Sequence, residues 1–265
     1  MNEGLIGVLH LPALPGSPRA MSIEACCEFL CLDAQRLSRA GFRAAIIENF
    51  GDAPFFKDSV PAITVAAMTR LADCVRRKYP ELALIINVLR NDANAALAIA
   101  SVVGASAIRV NILSGARLTD QGIIEGQAAL LLRRRRELGA EHIAIFGDVD
   151  VKHSAPLAPV DLEQETHDVI ERGGASAVVV SGSGTGRGVD LTKLRAVKAA
   201  SGTTPVYIGS GATIDTLSAL SKAGADGVIV GSAIRDGGKA GAPIVEAQAR
   251  AFAIAFTNAF GEPHT

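Results

Sequence analysis

The chain has 265 residues, a formal net charge of −1 and 20% charged residues, a balance that argues against a general nucleic-acid binder. Hydrophobic residues make up 49% and aromatic residues only 4%, with no tryptophan, so a large core of Ala, Val, Ile and Leu is expected and disorder is not. No uncharged apolar run of about 18 residues occurs and no basic-then-apolar leader opens the chain, so neither a spanning helix nor a signal peptide is expected. Four cysteines fit a reduced, cytoplasmic protein.

The first predicted strand, residues 5–9, ends at His10 and runs into a loop carrying Pro12, Pro15, Gly16 and Pro18. A strand-end histidine suits an acid, a base or a ligand, or it bonds to the rigid proline loop. A helix opens near Ser22, runs to about Arg39 and is closed by Gly41. Cys26, Cys27 and Cys31 lie on it and Cys74 on the next helix; with no histidine nearby they read as small buried hydrophobes. The second strand, 44–47, delivers Glu48 and Asn49 into a long loop with Gly51, Pro54, Phe55 and Phe56, suited to covering a site. After a helix over 60–77, the third strand, 82–86, delivers Asn87, and Asn91 or Asp92 is placed to cap the helix that follows.

In the fourth strand, 107–110, alternation puts Arg109 and Asn111 on one face, against Ile108, Val110 and Ile112 on the other. An arginine inside such a strand needs a buried anionic partner, from the protein or from a ligand. The polar loop 113–122 is expected to close flexibly over that ligand. The run Arg133, Arg134, Arg135 and Arg136 reads as a solvated last helical turn that complements the helix dipole. The fifth strand, 143–146, leads into Asp148, Asp150, Lys152 and His153, the densest ionisable cluster of the chain. Alternation puts Asp148, Asp150 and Lys152 on one face, and an Asp beside a Lys at a strand end is either an ion pair or a proton-transfer pair. A lysine with a depressed pKa is also able to form a Schiff base.

A helix over 162–172 and a sixth strand, 177–180, lead to Ser181 and Gly182 in a loop of hydroxyls and glycines running to Gly186. No Lys-Ser/Thr follows those glycines, so it is not a Walker loop. Asp190 begins the next helix. Two short β-branched strands then end in Gly209, Ser210, Gly211 and in Gly231, Ser232. Paired glycine turns leave backbone N–H groups free for one anion, and a helix starting near Ser232 would add its partial positive charge. The last helix is expected over 242–256.

Eight strand–helix units without a domain-separating linker predict one (β/α)8 barrel over residues 1–265, in which the strand-end residues share one rim. A doubly wound open sheet is the alternative, and it leaves the chemistry at every strand end unexplained.

Several motifs together carry a resemblance. Gly7-Val8-Leu9-His10-Leu11-Pro12, Glu48-Asn49-Phe50-Gly51-Asp52-Ala53-Pro54-Phe55, Asn87-Val88-Leu89-Arg90-Asn91-Asp92, Arg109-Val110-Asn111, Thr119-Asp120-Gln121-Gly122 and Asp148-Val149-Asp150-Val151-Lys152-His153 resemble the BtpA/SgcQ family across essentially the whole chain. The resemblance implies a ribulose-phosphate-binding-like barrel, in a family whose namesake is linked to photosystem I biogenesis. It brings no catalytic assignment, so the site is read from strand ends alone. Asp148, Lys152, Glu48 and His10 are the acid–base candidates. Asn87, Arg109, Asn111, His153 and Ser181 are candidates for binding the substrate body, and Gly182, Gly209, Ser210, Gly211, Gly231 and Ser232 for its phosphate.

The expectation is an enzyme acting on a small phosphorylated metabolite. A non-catalytic assembly or membrane-biogenesis factor is the alternative. No cofactor is expected, although His10, Glu48, Asp148 and His153 leave a divalent metal open. The expected partners are a small phosphorylated ligand and further copies of the chain, without nucleic acid; peripheral membrane contact stays open.

Overall fold

The structure is a computed structural model that describes residues 4–182 and 188–261. Eight parallel strands close on themselves: β1 (Leu5–His10), β2 (Ala44–Glu48), β3 (Ala83–Asn87), β4 (Ala107–Val110), β7 (Ala144–Val149), β9 (Ala177–Val180), β10 (Val206–Ile208) and β11 (Gly227–Val230). The last joins the first, with Leu5 opposite Val228 and Gly7 opposite Val230. The intervening strands β5 (Ala116–Thr119), β6 (Gly122–Glu125) and β8 (Ser154–Pro156) form a small antiparallel sheet outside the barrel. The segment expected to be a flexible closing loop is therefore mostly a hairpin, with Leu118 opposite Ile123 and pinned by Ala155 on its other side.

Among the described residues eight α-helices wrap the barrel: α1 (Ile23–Arg39), α2 (Ala62–Lys78), α3 (Ala93–Val103), α4 (Ala128–Glu137), α5 (Leu162–His167), α6 (Leu191–Ala200), α7 (Leu217–Lys222) and α8 (Glu246–Phe260). Their starts follow ordinary capping chemistry. The Ser22 hydroxyl accepts from Ala25 N–H, Asp92 from Ala95 N–H and Asp190 from Thr192 N–H, each satisfying an orphan donor of a first turn. The arginine run closes α4 in solvent, with Arg134 paired to Glu137 at 2.9 Å and Arg136 to Glu141 at 2.7 Å. Among the described residues no helix is long and apolar enough to cross a membrane.

Strand parity splits the core in two. Leu9, Ile47, Ile86, Ile108, Val180 and Ile208 face outward onto the helices, whereas Val8, Ile46, Ile85, Phe146, Val179 and Ile229 fill the barrel. Helix α1 comes close to β1 because residue 7 is glycine: a Cβ there would lie 2.6 Å from Leu37 Cδ1. The inward set, continued to the C-terminal ends of the strands, arrives at His10, Glu48, Asn87, Arg109, Asp148, Ser181, Gly209 and Gly231. His10, Glu48 and Asn87 are laterally in register. The fold thus gathers on one rim the residues that the sequence pattern assigned to strand ends.

Two local expectations are corrected. Ser232 opens only a three-residue 3-10 turn, Ser232–Ile234, and the closing helix begins at Glu246, so no long helix dipole points at this loop. Asp150 does not share a face with Asp148 and Lys152. Its backbone turns to a φ of 49°, ending the alternation, and its carboxylate joins Arg117 and Lys193 outside the barrel mouth.

Candidate active site

A cavity of about 230 Å3 opens at the C-terminal mouth of the barrel. It is lined by His10, Glu48, Arg109 and Lys152 on one side and by the loops Gly209–Thr213 and Gly231–Ala233 on the other. Phe50, in the loop after β2, covers His10, with ring centroids 4.4 Å apart. That loop is held against the proline loop: Gly51 N–H donates to Leu11 O at 3.0 Å and Leu14 N–H to Asp52 Oδ1 at 2.7 Å.

The floor of the cavity is Arg109, held from behind in an ion pair. Arg109, 4% exposed, donates from Nε and Nη2 to the two carboxylate oxygens of Asp148, each at 2.8 Å. Burial works against the guanidinium charge, but Asp148 outweighs it and holds the Arg109 pKa above its ordinary value. The buried anion that an in-strand arginine requires is thus Asp148. Its oxygens face Arg109, with Asn111 Nδ2 at 3.5 Å from one of them, and Asp148 itself does not line the cavity. Asn87 donates to Arg109 O at 3.0 Å and to Asn111 Oδ1 at 3.2 Å, so both amides buttress this pair from outside the cavity wall.

Lys152 is held differently. Its carbonyl accepts from Arg90 Nη2 at 3.0 Å, which fixes the loop, while its ammonium makes no hydrogen bond or ion pair among the described residues. Burial, and then Arg109, lower its pKa against the opposing pull of Glu48 and Asp148. His10 Nδ1 accepts from Gly241 N–H at 3.2 Å, and Nε2 stands 3.9 Å from Glu48 Oε1. The histidine is thus held by the loop after β11 rather than by the proline loop. Burial, followed by the charges of Arg235 and Lys152, pulls its pKa well below the usual range, so the ring is neutral and carries its proton on Nε2.

The two glycine loops face these groups. Among the described residues the N–H groups of Ser210, Gly211 and Ala212 find no acceptor, and Ser210 Oγ is buried without a partner. Gly211 has a φ of 80°, which turns that stretch. Gly209 is small for a different reason: a Cβ on it would lie 2.5 Å from Val179 Cγ1 and 3.1 Å from Arg109 Nη2. Its glycine leaves room for the arginine.

Some candidates lie apart. Ser181 and Gly182 are buried at the end of β9 and do not line the cavity, although Ser181 Oγ, orphaned, would sit 3.0 Å from a Cβ at Gly209. The loop residues 183–186 lie outside the described residues. His153 is exposed, with a φ of 57°, beyond the cavity wall. Among the described residues no group of three or more His, Cys, Asp or Glu could hold a metal ion.

Sequence reasoning missed Arg235 and Asp33. Arg235 is fully buried and donates to Asp33 Oδ2 at 2.9 Å, to Val8 O at 2.6 Å and to Ala242 O. It ties the loop after β11, and with it Gly241 and His10, to the first strand and first helix. The signal was present in α1, where Asp33 falls on the same helical face as Cys26, Leu30 and Leu37. A carboxylate on an apolar stripe calls for a buried cation.

The sequence profile of the BtpA family matches residues 1–258. The chain belongs to the BtpA family. Among its relatives, photosystem I biogenesis protein BtpA from Synechocystis sp. is 47% identical over 233 residues, covering 87% of this chain and 80% of that protein. An uncharacterized protein of Methanocaldococcus jannaschii is 44% identical over 237 residues, covering 89% and 88%. Of the solved structures, thiamine phosphate pyrophosphorylase from Pyrococcus furiosus superposes with a TM-score of 0.60 at 14% identity, covering 98% of each chain. The likeness is one of fold, a closed (β/α)8 barrel. In this BtpA-family barrel the cations Arg90, Arg109 and Lys152 stand around the mouth together with the carboxylates Glu48, Asp148 and Asp120.

Proposed function

We propose that this BtpA-family barrel is an enzyme acting on a small phosphorylated metabolite by acid–base chemistry at its C-terminal rim. What carries the reading is that one cavity joins the two glycine loops to Lys152, Glu48 and His10. The free N–H groups of Ser210, Gly211 and Ala212, with the unpartnered Ser210 hydroxyl, form the phosphate seat. Arg109, locked in place by Asp148, orients the polar body of the substrate, and Glu48 and neutral His10 exchange protons with it. Thiamine phosphate pyrophosphorylase, which shares the fold, is by its name an enzyme of a phosphate ester.

The 47% identity to a photosystem I biogenesis protein favours a second reading, a non-catalytic assembly factor that keeps the barrel as a scaffold. Calorimetric titration with inorganic phosphate and sugar phosphates separates the two. The enzyme reading expects saturable binding at or below millimolar ligand, weakened by Gly231→Val. A Cβ at residue 231 would lie 3.4 Å from His10 Cε1, an ordinary contact, so the added methyl groups invade the cavity rather than the core. Folded wild-type protein that binds none of these ligands at millimolar concentration leaves the scaffold reading in place.

A further inference from the structure

Among the described residues, the buried arginines around the cavity are all committed. Arg109 is spent on Asp148, Arg235 on Asp33 and two carbonyls, and Arg90 on the Lys152 carbonyl. Lys152 alone presents a charged head to the cavity with no hydrogen-bond or ion-pair partner among the described residues. A structural lysine would take a carboxylate, yet Asp148 is saturated by Arg109 and Glu48 forms no ion pair with Lys152. An amine kept unpaired beside the Arg109 guanidinium gives up its proton readily.

We propose that Lys152 is the covalent anchor for a phosphorylated aldehyde or ketone, whose carbonyl carbon its Nζ attacks while the phosphate rests on the loops after β10 and β11. This rests on the reading of the cavity as the site for a phosphorylated metabolite. Glu48 takes one proton from the ammonium. The nitrogen lone pair then forms the C–N bond as the C=O π pair moves onto oxygen, and a second nitrogen proton passes to that oxygen to give a neutral carbinolamine. The protonated Glu48 returns its proton to the new hydroxyl, the C–O bond breaks, water leaves, and the nitrogen lone pair closes the C=N bond of an iminium. One ammonium and one carbonyl become one iminium and one water, with no oxidant or reductant. His10, a neutral donor at Nε2 beside Glu48, is placed to hold the carboxylate or the departing oxygen.

The test is reductive trapping. Folded wild-type protein is incubated with glycolaldehyde phosphate or dihydroxyacetone phosphate and borohydride, then mapped by peptide mass spectrometry. The expected result is a reduced adduct confined to the Lys152 peptide, cut about tenfold by inorganic phosphate at about ten times its Kd, and absent from Lys152→Arg. That variant keeps the charge but has no amine able to form an iminium. Phosphate titration of both proteins runs alongside. Phosphate binding without an adduct overturns the iminium and leaves the phosphate reading standing; failure of both overturns both. An adduct spread over exposed lysines, or formed equally with unphosphorylated glycolaldehyde, also overturns the proposal. So does a Lys152→Arg variant that loses phosphate affinity while wild type forms no adduct, because Lys152 is then a phosphate ligand only.

Discussion

Asp148 and Lys152 stand four residues apart and have opposite energetic characters. Asp148 is one half of a buried bidentate pair, and removing one partner leaves an uncompensated charge in a dry site, at a cost of about 3–5 kcal/mol. Asp148→Asn is therefore expected to lower stability by an amount approaching that range, read as a shift in the urea midpoint at constant slope. A stability within about 0.5 kcal/mol of wild type would show that the pair is not what holds Arg109. Lys152→Met removes an unpaired charge and is expected to leave stability unchanged or raised. His10 supplies a pH dependence. Its folded pKa lies below the unfolded value of about 6.5, so the folded state binds fewer protons and stability is lost as pH falls from about 6.5 towards the folded pKa. His10→Phe keeps a ring against Phe50 and should flatten that part of the profile; parallel profiles for variant and wild type would contradict it. At this scale the sequence showed which residues line the rim, because side-chain parity along a strand is rigid. It did not show which partner each residue takes. Arg109 and Asp148 are 39 residues apart, and several carboxylates met the same parity.

The barrel strands were legible as elements because each is a short β-branched run ended by a polar or glycine residue. The β5–β6 hairpin was not. Its strands are four residues long, its outer face is partly exposed, and its third strand, β8, comes from beyond β7. What fixes it is Arg117, 5% exposed, which donates to Ser154 Oγ at 2.7 Å and to Glu165 Oε1 at 3.3 Å and pairs with Asp150; Lys193 closes the network on Asp150 at 2.7 Å. The positive φ at Asp150 turns that carboxylate out of the barrel and into this clamp, which no alternation rule anticipates. Arg117→Met should release the small sheet without melting the barrel. Hydrogen-exchange protection at Leu118 and Ile124 is expected to fall at least about tenfold, about 1.4 kcal/mol, while that of Ile46 and Ile85 stays unchanged. Equal loss at all four amides would mean that the clamp belongs to the global core.

On the scale of the molecule, the regular spacing of eight strand–helix units made the barrel readable, since each unit buries its apolar faces only when its neighbours are present. That the two glycine loops meet at one end of the barrel was also readable, but the reason for Gly209 was not, because the space it leaves is filled by a side chain from β4. If the phosphate seat is real, it stabilises the whole domain by linkage. Phosphate at about 100 times its Kd should add about 2.7 kcal/mol and raise Tm by about 5–10 °C for a chain of this length. Sodium chloride at equal ionic strength is the control, and an equal rise with both salts would remove the site-specific explanation.

The pairing of β1 with β11 has a temporal consequence. On the ribosome, β1 emerges first and finds β2 at once, but its other edge waits for a partner made roughly 220 residues later. At about 5–20 residues per second that wait is about 10–45 s, during which an apolar strand edge stands open to other nascent chains. Arg235, which reaches back to Val8 O and Asp33, is made later still, as is Gly241, whose N–H holds His10. His10, on the first strand of the barrel, is thus set in place by residues made more than 220 positions later, and a chain that stalls before Arg235 carries His10 and Glu48 without the latch that aligns them.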